Sequence, residues 1–95
     1  MSFTWVDGVA ADTVPADDRG LNYADGAFET LSCHEGRIEL KDLHQNRLTR
    51  ALIALHVRDA AEQSAHLFAD AGRCSEAARH TGTARLTGTR GSGPR

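Results

Sequence analysis

Residues 18–48 read DRGLNYADGAFETLSCHEGRIELKDLHQNRL, and the order of signals within them decides the fold. A polar turn leads through Tyr23 into a glycine hinge at Ala24-Asp25-Gly26. Residues 27–33 then alternate, with Ala27, Glu29, Leu31 and Cys33 on one face and Phe28, Thr30 and Ser32 on the other, which is the period of a strand. His34-Glu35-Gly36 is turn material, and residues 37–40 form a short second run. A helix follows from Asp42, an N-cap residue type, with Gln45 three places on completing a capping-box pattern. His44, Leu48, Ala51, Leu52 and Leu55 then fall on one helical face, and Arg47 sits at its margin. The stretch therefore sets an aromatic, a carboxylate and a guanidinium on rigid elements joined by tight turns, which is how binding sites are built.

Outward from this centre the signals are weaker. Residues 3–6 are extended and end at Asp7-Gly8, a hairpin turn, so residues 9–14 are expected to return until Pro15 stops them. Residues 16–20 are a polar loop. A second helix is expected over 59–80, with Leu67, Phe68, Ala71 and Ala78 as its apolar contribution and Gly72 as a potential interruption. Residues 83–90 read as a strand that Gly88 weakens or bulges, and residues 91–95 as a turn. The fold class is α+β: an antiparallel sheet with two helices.

Composition narrows the function classes. The chain has 95 residues, enough for one domain or a piece of one, and a formal charge of −2, which gives no general attraction to nucleic acid or membranes. Charge is uneven, because residues 77–95 carry arginines and no carboxylate. No apolar run approaches the roughly 20 residues that span a bilayer, and residues 1–10 lack a secretory signal pattern. Cys33 and Cys74 have no metal or redox spacing and read as reduced thiols in a cytoplasmic protein. The histidines show no metal-ligand spacing, and residues 87–93 lack the ending of a P-loop.

The words Asp18-Arg19-Gly20, Tyr23-Ala24-Asp25-Gly26-Ala27-Phe28-Glu29-Thr30, His44-Gln45-Asn46-Arg47-Leu48 and Thr89-Arg90-Gly91-Ser92-Gly93 together resemble the N-terminal region of the class IV, fold-type IV pyridoxal-phosphate enzymes. Within that superfamily the aminodeoxychorismate lyases look most similar. The resemblance implies a lyase that converts 4-amino-4-deoxychorismate to 4-aminobenzoate and pyruvate in folate synthesis, with pyridoxal 5'-phosphate as cofactor and a homodimer as the assembly. It implies that Arg47 holds the cofactor phosphate. Taken alone, Arg47 would be a solvated helix arginine. Tyr23, Phe28, Glu29 and Arg90 match positions on or supporting the substrate side. By themselves Phe28 reads first as a core aromatic, Glu29 equally as an edge residue open to water, and Arg90 equally as the end of a strand. His44 reads as a buried histidine with its hydrogen bonds satisfied.

The sequence departs from the family at Ala24 and Gly88, and in having Lys41 as its one lysine. Pyridoxal-phosphate chemistry needs a lysine amine, and in the family that residue lies further along, in a larger C-terminal domain. Residues 1–95 are therefore expected to be the small N-terminal domain of such an enzyme, inactive alone. Two alternatives stand beside this: a branched-chain or D-amino-acid aminotransferase fragment, or a non-catalytic piece that binds only phosphate or a partner chain.

Overall fold

A computed structural model describes residues 4–6, 9–11, 13, 18 and 26–89. Strands β1 (Trp5–Val6) and β2 (Val9–Ala10) pair antiparallel, Val6 opposite Val9, as the expected hairpin requires. The return strand stops at Ala10, well short of residue 14, and the Ala11 amide continues the pairing with a single bond to the Thr4 carbonyl. The turn Asp7-Gly8, most of the loop over 16–20, the hinge residues Ala24 and Asp25, and the turn over 91–95 lie outside the described residues, as do Tyr23 and Arg90.

The long strand β3 (Gly26–His34) keeps the expected alternation. Glu29, Leu31 and Cys33 are buried, whereas Phe28, Thr30, Ser32 and His34 are exposed. Phe28 is thus not a core residue: it is 54% exposed, because the parity of the strand that turns Glu29 inward turns Phe28 outward. Strand β4 (Arg37–Ile38) folds back on β3 through Glu35 and Gly36, whose φ values of 48° and 86° make a two-residue turn of the primed kind. Gly36 is buried, and a Cβ there would lie 2.9 Å from the Glu76 Cα. A Gly36→Ala variant should therefore lose about 2–3 kcal/mol of stability, from left-handed strain plus a backbone contact that cannot yield. Equal denaturation midpoints for the variant and the wild type would refute this packing.

Helix α1 (Lys41–Ala54) starts one residue earlier than expected. Leu40, at φ 53°, is the residue before it, and no side chain caps its first amides. Asp42 is therefore not the N-cap, and no capping box forms with Gln45; Asp42 lies inside the first turn, where its charge still favours the positive helix end. Beyond the last helical residue, Ala54, the chain turns away through a left-handed His56. There the His56 amide bonds to the Ile53 carbonyl and the Val57 amide to the Leu52 carbonyl, which joins Val57 and Leu52 in the core.

Helix α2 (Ala60–Ala78) runs unbroken through Gly72, whose cost of about 1 kcal/mol is too small to stop a helix packed on a sheet. Its buried positions are Ala60, Ser64, Phe68, Cys74 and Ser75; Leu67 and Ala71 are half-buried, and Ala78 is exposed, contrary to its expected place in the core.

Strand β5 (Gly82–Thr89) closes a three-stranded sheet of order β4-β3-β5. Its antiparallel register with β3 is continuous from Gly26↔Thr89 to Cys33↔Gly82, so Gly88 makes no bulge. Its role is close approach: a Cβ at Gly88 would meet the Leu67 Cδ1 at 2.9 Å. Both helices lie on the inward face of this sheet. The core between the layers joins Leu31, Leu48, Leu52, Val57, Ala60 and Phe68, flanked by Ala84 and Leu86 of β5. The fold is α+β, as expected, in two layers, and no described helix covers the other face of the sheet.

Candidate functional site

Glu29 sits mid-strand on the inward face, only 9% exposed, in a sheet that is otherwise apolar on that side. A buried carboxylate is costly without partners. Strand β3 has no strand beside residues 26–31 on the β4 side among the described residues, so among these Glu29 stands at an edge. It is not open to water there, because α1 covers it. Its partner comes from that helix: the His44 Nδ1 donates to the Glu29 Oε1 at 2.7 Å, both side chains being largely buried. An ionised carboxylate only accepts hydrogen bonds, which assigns the proton to Nδ1. His44 is thus the satisfied histidine expected from its place in the stripe.

Arg47 lies three residues further along α1, on the neighbouring line of the same face. Its Nε stands 3.7 Å from the same Glu29 oxygen, and its side chain is 58% exposed. That separation is beyond hydrogen-bonding range, so the contact is Coulombic and orients the guanidinium without consuming its donors. The terminal nitrogens remain as a fork suited to an oxyanion such as a phosphate. The first turns of α1 are in turn fixed to α2, because the fully buried Ser64 hydroxyl donates to the Gln45 carbonyl at 3.3 Å.

Removing the carboxylate should show how much this arrangement holds. A Glu29→Ala variant is expected to lose about 2 kcal/mol, since it strands the His44 N–H in a buried place. Glu29→Gln, which can still accept that bond, should lose less than about 1 kcal/mol. Equal losses for the two would mean that burial of the side chain, not the hydrogen bond, matters.

The other site residues are placed unevenly. Phe28 is on the opposite, open face of the sheet, with the Arg85 Cζ 4.1 Å from its ring centroid. Tyr23 and Arg90 are outside the described residues; of the sequence words they belong to or follow, the Thr89 hydroxyl donates to the Asp18 carboxylate at 2.9 Å. Lys41 and Arg47 emerge about 120° apart around α1 and about 9 Å apart along it, so the chain's lysine does not face the Arg47 fork. The Glu29–His44 pair is not evident from sequence. Its signal there is two polar residues, each on an otherwise apolar buried face. Among the described residues no three His, Cys, Asp or Glu side chains are grouped to hold a metal ion. Cys33 and Cys74 are free thiols, both buried, and no helix among the described residues is long and apolar enough to cross a membrane.

No family model matches the chain. Over 53 residues, 56% of its length, it is 34% identical to the aminodeoxychorismate lyase of Vibrio harveyi, of which it covers 20%. The 4-amino-4-deoxychorismate lyase of Pseudomonas aeruginosa superposes on 96% of the chain with a TM-score of 0.74 and 37% identity. A fold IV-transaminase of Curtobacterium pusillum superposes on 88% of it with a TM-score of 0.63 and 29% identity. The chain spans 32% of each of these two structures. It resembles aminodeoxychorismate lyase in sequence, and over about a third of that enzyme's length it has the fold the lyase shares with a fold IV-transaminase.

Proposed function

We propose that the chain is the small N-terminal domain of a pyridoxal-phosphate-dependent lyase that converts 4-amino-4-deoxychorismate to 4-aminobenzoate and pyruvate, the aromatic precursor step of folate synthesis. The observation that carries this reading is the Glu29–His44–Arg47 arrangement, an anion fork leashed to a buried carboxylate. It lies on a frame that matches the Pseudomonas aeruginosa lyase over nearly the whole chain.

The residues present suit one end of the cofactor. Arg47 would hold its phosphate through two parallel hydrogen bonds, and Glu29, braced by His44, would keep the guanidinium aimed. When bound, the cofactor supplies the electron sink for the substrate's amine-bearing carbon. The amine that must hold the cofactor's carbonyl carbon is not Lys41, which faces away, and belongs to a lysine outside residues 1–95. By the resemblance Tyr23, Phe28 and Arg90 would line or flank the substrate side, and the complete protein would be a cytoplasmic homodimer.

The test is product analysis on the full-length gene product supplied with pyridoxal phosphate and 4-amino-4-deoxychorismate. Equal amounts of 4-aminobenzoate and pyruvate are expected. The likeness to a fold IV-transaminase favours a second reading, amino-group transfer. Transfer of nitrogen to a 2-oxo acid with no pyruvate released would establish it and remove the first.

A further inference from the structure

The geometry points to Arg85 as a specificity residue that recognises the ring carboxylate of the substrate, with Phe28 as the platform that holds it. This rests on the lyase reading, which supplies the substrate class: a six-membered ring carrying a carboxylate.

The open face of the sheet has a consistent chemistry. Cross-strand partners Phe28↔Thr87, Thr30↔Arg85 and Ser32↔Thr83 are all exposed there. They present one aromatic ring, one guanidinium and four hydroxyls, with no carboxylate among them. Folding does not explain the aromatic, since the core closes on the other side of the sheet without Phe28. Arg85 is diagonal to Phe28, within the reach of long cross-strand side chains, and its Cζ lies 4.1 Å from the ring centroid. A cation–π contact fixes the guanidinium and uses none of its five N–H donors. Among the described residues Arg85 forms no ion pair. A fixed guanidinium with free donors, ringed by hydroxyls, is a carboxylate receptor.

The test uses the full-length protein, its Arg85→Ala and Arg85→Lys variants, and two probes: 4-aminobenzoate, which keeps the ring carboxylate, and 4-aminobenzamide, which lacks the charge. Arg85→Ala should raise KM roughly 10- to 100-fold with kcat within about threefold and pyridoxal-phosphate affinity unchanged. Arg85→Lys should fall between, keeping the charge but losing the fork. Wild type should bind the acid at least about tenfold more tightly than the amide, and Arg85→Ala should bind both alike. An unchanged KM with intact acid–amide discrimination overturns the assignment. So does a parallel loss of pyridoxal-phosphate affinity and thermal stability, which marks a structural role. If wild type releases no 4-aminobenzoate, the lyase reading fails on its own. The binding arm then still decides: discrimination lost in Arg85→Ala sustains the carboxylate role, and no discrimination in wild type ends it.

Discussion

An Arg47→Ala variant of the full-length protein is expected to bind pyridoxal phosphate roughly 100- to 1,000-fold more weakly than wild type, while unfolding at nearly the same denaturant concentration. The size follows from the two charge-assisted hydrogen bonds Arg47 would give a phosphate, each contributing about 1.5–2 kcal/mol, the lower part of the range for bonds to charged groups. The small effect on folding follows from exposure. The Arg47 side chain is 58% accessible and meets Glu29 only at 3.7 Å, and ion pairs of this kind contribute at most about 1 kcal/mol. Glu29 keeps its bond from His44 in the variant, so no buried charge is stranded. Arg47→Lys should recover part of the affinity, because it restores the charge without the planar fork. Equilibrium dialysis of the cofactor beside a denaturation curve separates the two quantities, and a loss in both by similar free energies would make Arg47 a structural residue.

The second large effect is on stability. Phe68→Ala should cost about 3–5 kcal/mol, because Phe68 is fully buried between α2, Leu48 and Leu52 of α1, and the inward face of the sheet. No other aromatic belongs to that core cluster among the described residues, so no neighbour of similar size can swing into the space. With typical domains stable by about 5–15 kcal/mol, the loss should expose α2 and β3 amides to hydrogen exchange across the whole two-layer unit, not just near residue 68. Exchange that speeds up only within one turn of the substitution would show that the layers do not form one cooperative core.

What is legible in the sequence is whatever one element's own period dictates. The alternation through residues 27–33 by itself puts Glu29, Leu31 and Cys33 on one face, and the spacing in α1 locates Leu48 and Leu52. At Phe28 hydrophobicity and parity conflict, and in a strand with one covered face parity wins. The start of α1 is hidden for a different reason. Asp42, a good cap residue, stands inside the helix, and the chain enters through a left-handed Leu40, which no composition rule favours. Gly88 looks like a flaw in a strand, whereas its reason is a tertiary one, the nearness of Leu67. The Glu29–His44 pair needs two elements packed face to face. Each residue alone announces only that it requires a partner.

The most direct test of the phosphate assignment compares how strongly the full-length protein prefers pyridoxal 5'-phosphate to unphosphorylated pyridoxal, in wild type and in Arg47→Ala. A disturbed fold weakens both ligands together, but a missing phosphate clasp weakens only one. The account predicts a preference of at least about 100-fold in wild type that falls nearly to parity in the variant, with pyridoxal binding left almost unchanged. The same preference in both proteins would contradict it.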